Sequence, residues 1–261
     1  MMRASSNSWI TCPKPNPQAS LRLFCFPYAG GGALSFRSWS AQLSSTIEVC
    51  PIELPGRGMR LSELPLTQLP LLVEGLIPSL LPCLDKPFAF FGHSMGGLMS
   101  FEVARFLRRS HAHSPAHLFV SGHCAPQIPC WDPSICTLSD ADFIQRLRHL
   151  NGTSETALDN EELMQLLLPA FRADFAVLAN YSYQLESPLN CPITAFGGLQ
   201  DPGVSREMLE GWQKQTSSAF TIQMFLGDHF FIHTAQSLLL QSLAQTLSRI
   251  TNDKHPLSPT L

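Results

Sequence analysis

Six short apolar runs, each broken off by glycine or proline, constrain the fold of this chain more than any other feature. Each has the length of a strand and is apolar on both sides, which is typical of strands covered by helices on both faces of a sheet. Helical stretches separate the runs, and this alternation predicts a mostly parallel central sheet flanked by helices, an α/β fold. The runs stand in "LRLFCFPYAGGG", "IEVCPIELPGRG", "PFAFFGHSMGG", "AHLFVSGHCAP", "CPITAFGGLQDP" and "FTIQMFLGDHFF".

One interval is too long for a simple crossover between strands. About 65 residues separate the fourth run, ending near Gly122, from the fifth, starting near Cys191, where about 12 would be enough. We predict a helical insertion over approximately 125–190, with one helix capped by Ser139 and a second interrupted by Pro169. An apolar stripe on the second helix either packs on the main core or forms a lid over a substrate cleft; it comprises Leu163, Leu166, Leu167, Phe171, Phe175 and Leu178.

Length and composition favour one globular domain over residues 1–261, with flexible tails at 1–19 and 251–261. The chain has 261 residues, 44% of them hydrophobic, and a net charge of −3. No Lys/Arg cluster is dense enough for nucleic acid, since Arg105, Arg108 and Arg109 fit the polar end of a helix. No secretory signal and no membrane-spanning apolar run is apparent, so we expect a soluble, cytoplasmic protein.

The eight cysteines and the glycine patterns argue against bound metals and cofactors. The cysteines lack a CxxC pair, and we expect them to be reduced. Cys124, Cys130 and Cys136 have a poor spacing for metal ligands. Because neither a Walker lysine nor a spaced dinucleotide glycine pattern is present, we expect no metal and no cofactor.

The stretch "GHSMG" places a serine between two glycines, directly after an apolar strand and before the clearest helix of the chain. This setting is typical of a nucleophile elbow, in which the strained turn around Ser94 leaves room only for hydrogen at Gly92 and Gly96. Ser94 would then lie at the N-terminus of a helix, where free amides favour developing negative charge.

An oxyanion hole needs two backbone donors, and the sequence offers a candidate for each. Met95 follows the nucleophile, and Ala29 lies in the glycine-rich loop "PYAGGG" after the first strand. The alternative interpretation of that loop is an ordinary turn between a strand and a helix.

A serine nucleophile requires a base and a carboxylate that orients it. His229 follows the last strand, whereas His123 precedes the plausible acid and would reverse the order Ser, Asp, His of α/β-hydrolases. Asp201 follows the fifth strand, at the sheet edge expected to carry Ser94, and Asp228 is its rival. We interpret Asp174 and Glu186 as surface or packing residues of the lid.

With these residues in place, the chain resembles the type II thioesterases that act beside polyketide synthases and nonribosomal peptide synthetases. The resemblance runs from about Leu21 to Phe231 and rests on "FCFPYAGGGALSFRSW", "ELPGRGMR", "FFGHSMGG" with "FEVAR", "LPAFRADF", "CPITAFGGLQDP" and "GDHFF". It implies an α/β-hydrolase fold, a triad of Ser94, Asp201 and His229, and an oxyanion hole formed by the amides of Ala29 and Met95. One departure is Ala179, where the family often carries a glutamate.

The resemblance implies hydrolysis of acyl or aminoacyl thioesters from the phosphopantetheine arm of acyl or peptidyl carrier proteins, for editing or product release. The carrier would be a transient partner of a monomeric enzyme. The same triad also serves a carboxylesterase or lipase and an acyltransferase, and a noncatalytic relative that binds a small molecule or a partner is a further alternative.

Overall fold

A computed structural model describes residues 9–130 and 132–252 as one six-stranded sheet with helices on both faces. Every strand pairs parallel to its neighbours, in the order β2-β1-β3-β4-β5-β6. The predicted fold class and all six strands are confirmed. The strands are β1 (Leu21–Phe26), β2 (Ile47–Pro51), β3 (Phe88–His93), β4 (His117–Ser121), β5 (Ile193–Gly198) and β6 (Phe220–Phe225).

Helices cover both faces of the sheet and enclose two apolar cores. One core joins the sheet to α2, α3 and α6, and the other joins it to α1, α8 and α9. The helices are α1 (Trp39–Gln42), α2 (Leu69–Leu80), α3 (Met95–His111), α4 (Asp140–Leu150), α5 (Glu155–Leu158), α6 (Glu161–Ala179), α7 (Arg206–Glu210), α8 (Phe231–Thr234) and α9 (Gln236–Asn252), with short 3-10 helices at Ala33–Phe36, Gly58–Arg60, Leu81–Cys83, Pro133–Thr137 and Gly211–Gln215.

The strand order places β1 beside β3 and so fixes where a site can form. The chain leaves β1 for the sheet edge at β2 and then returns to the other side of β1 as β3. Phe26 at the end of β1 is in register with Gly92 near the end of β3. The loops after these two strands therefore leave the sheet side by side, at the kind of switch point where open α/β sheets bind ligands.

Strand β6 departs from the prediction that every run is buried on both faces. Its residues alternate between partly buried and exposed up to the buried Phe225. β6 is an edge strand, and one side of it faces solvent. A half-covered edge strand needs apolar residues at alternate positions only, which explains Thr221 and Gln223.

Between β4 and β5 the chain forms the helices α4, α5 and α6. Ser139 caps α4 as predicted, since its hydroxyl accepts a hydrogen bond from the Asp142 amide. The predicted interruption at Pro169 is wrong, because α6 continues through that residue. Pro169 is exposed, so the backbone hydrogen bond that a proline cannot donate is lost on the solvent-facing side of the helix only. Burial of Leu168 and Phe171 stabilises the helix around it.

The apolar stripe predicted on α6 is correct for its second half only. Phe171, Phe175 and Leu178 are buried, whereas Leu166 is 51% exposed. Leu163 and Leu167 are partly buried, and Met164 and Leu168 take the inward positions of the first two turns. The buried face packs on the main core, and the lid function of this insertion stays a prediction.

Trp9 and Ile10 pack against the sheet edge, so the flexible tail that we predicted for residues 1–19 does not extend to them. Ile10 forms an antiparallel bridge with Ile52, and the Glu53 amide donates to the Trp9 carbonyl. The Trp9 indole is 9% exposed and lies beneath the Arg60 guanidinium, 4.0 Å from ring centroid to Cζ. Of the two predicted tails, residues 1–8 and 253–261 lie outside the described part of the chain, and 251–252 end α9.

Among the described helices, none is both long enough and apolar enough to cross a membrane.

We expect Trp9→Ala to lower the free energy of unfolding by about 3 kcal/mol, because it removes a large buried ring and its contact with Arg60. Urea unfolding followed by circular dichroism measures this. The control is Leu64→Ala at a side chain that is 87% exposed, where the change should stay within about 0.5 kcal/mol. Equal effects of the two substitutions would contradict the packing assigned to Trp9.

Candidate active site

Ser94 occupies a strained turn between β3 and α3. Its backbone has φ 51° and ψ −120°, a region that side-chain-bearing residues rarely adopt. A Cβ at Gly92 would lie 2.0 Å from the Gly96 carbonyl oxygen, and one at Gly96 would lie 2.1 Å from the Phe26 carbonyl oxygen. Both positions therefore have room for hydrogen only, which is the physical reason for the glycines on either side of the serine.

Two backbone amides beside Ser94 are free to donate. Met95 is the first residue of α3, where amides have no partner within the helix. Ala29 lines the same cavity as Ser94. Within residues 9–130 and 132–252, neither amide donates to a protein acceptor. This arrangement suits the binding of a negatively charged oxygen between them.

The loops after β5 and β6 bring Asp201 and His229 together. His229 Nδ1 lies 2.7 Å from Asp201 Oδ2. The other carboxylate oxygen, Oδ1, accepts from the amides of Gly203 at 2.8 Å and Val204 at 3.2 Å. The Asp201 side chain is 1% exposed, so it is held rigidly, and it keeps the imidazole in the tautomer with its proton on Nδ1.

Within the described chain, Ser94 and His229 line one cavity, without a direct hydrogen bond between their side chains. Because Nδ1 is engaged by Asp201, Nε2 is the nitrogen left to accept the serine proton. Such contacts are often long in unliganded enzymes and shorten when substrate binds.

The cavity at Ser94 is small and mostly apolar. Its volume is about 30 Å³, far below the several hundred Å³ usual for sites that enclose a small molecule. The helices α4 and α6 contribute part of its wall and the aromatic rings beside His229 another part; the lining residues are Tyr28, Ala29, Ser94, Leu147, Leu150, Gly152, Thr153, Phe171, Phe175, His229 and Phe230.

Asp228, the rival acid, is engaged in its own loop. Its Oδ1 accepts from the Phe230 amide at 2.8 Å, and its Oδ2 lies 3.5 Å from Asn151 Nδ2. The imidazole of His229 bonds to Asp201 instead. The geometry therefore favours Asp201 as the orienting carboxylate.

The rival histidines are buried and paired elsewhere. His123 Nδ1 lies 2.7 Å from the Cys124 carbonyl oxygen, and burial lowers the pKa of His123 to about 4. His93 Nδ1 lies 2.8 Å from Ser121 Oγ, its ring packs 5.3 Å from that of His229 between centroids, and burial lowers its pKa well below the usual value. Neither ring is a member of the cavity lining.

Of the two interpretations of Asp174, the structure favours packing over an exposed surface position. Its carboxylate is buried and pairs with Arg57, a residue to which no role was assigned from the sequence. The available signal was a lone acid on the apolar face that carries Phe171 and Phe175. Glu186 binds Arg105 at 2.8 Å, Arg108 at 2.9 Å, and Arg109, and so ties the end of the insertion to α3.

Two cysteines depart from the prediction that all eight are reduced. Cys124 and Cys130 form a disulfide, with their Cα atoms 6.6 Å apart. The turn that follows β4, with the Ile128 amide bonded to the Ala125 carbonyl, brings the two residues together. The other six cysteines carry free thiols: Cys12, Cys25, Cys50, Cys83, Cys136 and Cys191.

Among the described residues, two groups of side chains lie close enough together to bind a metal ion. In the first, His123 lies beside Cys124 and Cys130, whose sulfurs are bonded to each other. In the second, Glu48 lies beside Cys12 and Cys50 but forms an ion pair with Arg22. The expected absence of a metal and of a cofactor stays a prediction.

Comparison with known proteins supports a single family. A family model described as a thioesterase domain matches residues 21–251. The gramicidin S biosynthesis protein GrsT of Aneurinibacillus migulanus is 47% identical, over 95% of this chain and 97% of that protein. The protein called linear gramicidin dehydrogenase LgrE, of Brevibacillus parabrevis, is 46% identical over 93% and 94%. The solved structure of the type II thioesterase BorB, from the borrelidin biosynthetic cluster, has a TM-score of 0.85 at 34% identity and covers 93% of this chain and 99% of that one.

We expect Asp201→Asn to lower kcat by about 10,000-fold, because the amide favours the wrong imidazole tautomer. Asp228→Asn is the matched control and should cost about fivefold, the effect of one weakened hydrogen bond. Steady-state hydrolysis of an acyl thioester measures both. A large loss in Asp228→Asn with activity kept in Asp201→Asn would show that the acid is misassigned.

Proposed function

Because the chain belongs to the thioesterase domain family, we propose that it hydrolyses acyl or aminoacyl thioesters held on the phosphopantetheine arm of carrier proteins. The observation that carries the proposal is the cavity lined by Ser94, by Ala29 and by His229, whose imidazole is paired with Asp201. The substrate class follows from the relatives, since GrsT is named for gramicidin S biosynthesis and BorB is titled a type II thioesterase.

The proposed reaction begins with attack of Ser94 Oγ on the thioester carbonyl while His229 Nε2 takes the hydroxyl proton. Negative charge then develops on the carbonyl oxygen, where the amides of Met95 and Ala29 stabilise it by about 3 kcal/mol for each donor. The pantetheine thiolate leaves with little acid assistance, since an ordinary thiol has a pKa of about 8.5. The imidazolium proton passes to the departing thiolate, so the imidazole is neutral again. Water then attacks the acyl-serine while His229 Nε2 takes a proton from it, and that proton returns to Ser94 Oγ as the carboxylic acid leaves.

The small cavity sets a requirement for substrate binding. A volume of about 30 Å³ does not hold an acyl group together with the end of a pantetheine arm. The wall opposite Ser94 includes Leu147 and Leu150 of α4 and the segment at Gly152. We propose that this wall, part of the predicted lid, moves away when the acyl group enters.

The residues argue against a dehydrogenase, but they do not separate a thioester hydrolase from an oxygen-ester hydrolase. The name of LgrE includes a dehydrogenase, but the glycines after β1 are consecutive (Gly30, Gly31, Gly32) and do not have the spacing of a dinucleotide fingerprint. An oxygen-ester hydrolase would use the same triad. The ratio of specificity constants for a carrier-bound thioester and a nitrophenyl ester of the same acid separates the two.

We expect Ser94→Ala to lower hydrolysis of an acyl carrier protein by at least about 10,000-fold. Mass spectrometry of the carrier before and after incubation measures the loss of the acyl group. Ser100→Ala is the matched control, since Ser100 is a buried serine of α3 whose hydroxyl donates to the Gly97 carbonyl within the helix; it should keep wild-type activity. Undiminished hydrolysis by Ser94→Ala would end the proposal of a serine nucleophile.

A further inference from the structure

Two charged side chains from distant parts of the chain hold the loop that contains Ala29. The Gly30 amide donates to Asp174 Oδ2 at 2.7 Å. Arg57 Nη1 donates to the Gly31 carbonyl at 3.0 Å. Asp174 belongs to α6, and Arg57 lies in the loop after β2. The peptide groups that follow Ala29 are therefore fixed from two sides.

These contacts determine the direction of the Ala29 amide through the geometry of one tight turn. The Ala29 N–H and the Tyr28 C=O belong to the same planar trans peptide and point in opposite directions. The Tyr28 carbonyl accepts from the Gly31 amide at 2.9 Å. The peptide group with the Gly31 amide lies between the two peptide groups that Asp174 and Arg57 hold, through the Gly30 amide and the Gly31 carbonyl. Holding these two groups orients the Gly31 amide, and its hydrogen bond to the Tyr28 carbonyl then fixes the peptide plane that carries the Ala29 N–H.

Arg57 and Asp174 also form a buried ion pair with two hydrogen bonds, of 2.6 and 2.7 Å. Their side chains are 7% and 2% exposed. Within the described chain, Arg57 Nε is buried without a hydrogen-bond partner. A buried pair that leaves a donor unsatisfied contributes little net stability, and apolar residues of similar volume often do as well or better. Stability alone therefore gives little reason for these two residues.

Helix α6 contacts the same loop through an aromatic ring. Gly30 has φ +76°, and a Cβ there would lie 1.9 Å from Phe171 Cε1. Phe171 and Phe175, on either side of Asp174 in α6, line the cavity at Ser94. The helix that forms part of the cavity wall is thus in direct contact with the loop that supplies the Ala29 amide.

We propose that Arg57 and Asp174 are positioning residues that orient the Ala29 amide toward the reacting carbonyl oxygen and couple this orientation to the docking of α6. The proposal rests on the proposed function for the roles of Ser94 and Ala29. When Asp174 leaves the Gly30 amide, the turn at Tyr28–Gly31 loses its outer support, and the oxyanion hole loses one aligned donor. An acyl group that displaces α6 would weaken the hole at the same time.

The first test is Asp174→Asn, which keeps the shape but places an NH₂ group against a donor of either Arg57 or Gly30. We expect kcat to fall about 10- to 100-fold, with KM changed by less than about threefold, because donor misplacement acts mainly in the transition state. Labelling of Ser94 by a fluorophosphonate should slow by a similar factor. Glu48→Gln is the matched control: it neutralises one of the two carboxylates that pair with Arg22. Glu48 lies on β2, at the opposite edge of the sheet from β6, and the substitution should leave kcat at the wild-type level.

The second test separates positioning from stability. In the double variant Arg57→Met/Asp174→Leu, apolar packing replaces the ion pair. We expect its midpoint of thermal unfolding to be higher than that of Asp174→Asn and closer to the wild-type value. Leucine offers the Gly30 amide no acceptor, whereas asparagine can still offer its carbonyl oxygen, so kcat and the labelling rate should be at least as low as in Asp174→Asn. Recovery of kcat together with thermal stability, or full activity in Asp174→Asn, would overturn the proposal.

The labelling measurement distinguishes a failure of the positioning proposal from a failure of the proposed function. A wild-type protein that reacts with the fluorophosphonate but hydrolyses no carrier-bound thioester would contradict the substrate class only, and the labelling rates of the variants would still decide the positioning role. A wild-type protein that is not labelled at Ser94 would contradict both.

Discussion

The site depends on one steric constraint, the close approach of the first turn of α3 to the end of β1. A Cβ at Gly96 would lie 2.1 Å from the Phe26 carbonyl oxygen and 2.7 Å from that of Pro27. β1 and β3 are paired neighbours in the sheet. This contact keeps the segments that follow the two strands close together as well. The loop with Ala29 and the turn with Ser94 share one cavity for that reason, and a side chain at position 96 would separate them.

The two halves of the candidate triad are held by different forces. The turn at Ser94 is fixed by packing and strain, whereas Asp201 and His229 are fixed by hydrogen bonds that satisfy both carboxylate oxygens. Each half is held by contacts of its own, and the described chain has no hydrogen bond between the Ser94 hydroxyl and the imidazole. Side chains of α4 and α6 line the cavity that the two halves share.

The sequence predicted those parts of the molecule that depend on neighbouring residues. Strands, the cap at Ser139 and the turn at Ser94 all follow from patterns a few residues long. The errors at Trp9 and Pro169 lie where distant segments meet, whereas the missed Cys124–Cys130 disulfide joins residues only six positions apart. Trp9 was assigned to a tail because its partner Arg60 lies about 50 residues away in the chain, and the helix around Pro169 persists because its other faces are buried.

The pairing of Arg57 with Asp174 is the clearest case of this limit. The two residues are 117 positions apart, and each alone is compatible with an exposed charge. Both nevertheless stand in the segments "ELPGRGMR" and "LPAFRADF", which carried the resemblance to thioesterases without an assigned role. Periodicity places Asp174 on the buried face of α6, and a buried acid requires a partner. Only the folded chain identifies that partner.

The ion pair beside the proposed oxyanion hole has an electrostatic consequence for substrate choice. Because Arg57 and Asp174 neutralise each other, they orient an amide without adding net charge to the cavity. The developing negative oxygen is then stabilised by backbone dipoles, whose strength does not depend on the acyl group. A lone cation in the same place would favour anionic acyl groups and bind carboxylate products. The neutral arrangement suits an enzyme that removes varied acyl groups from a carrier and must release each acid that it forms.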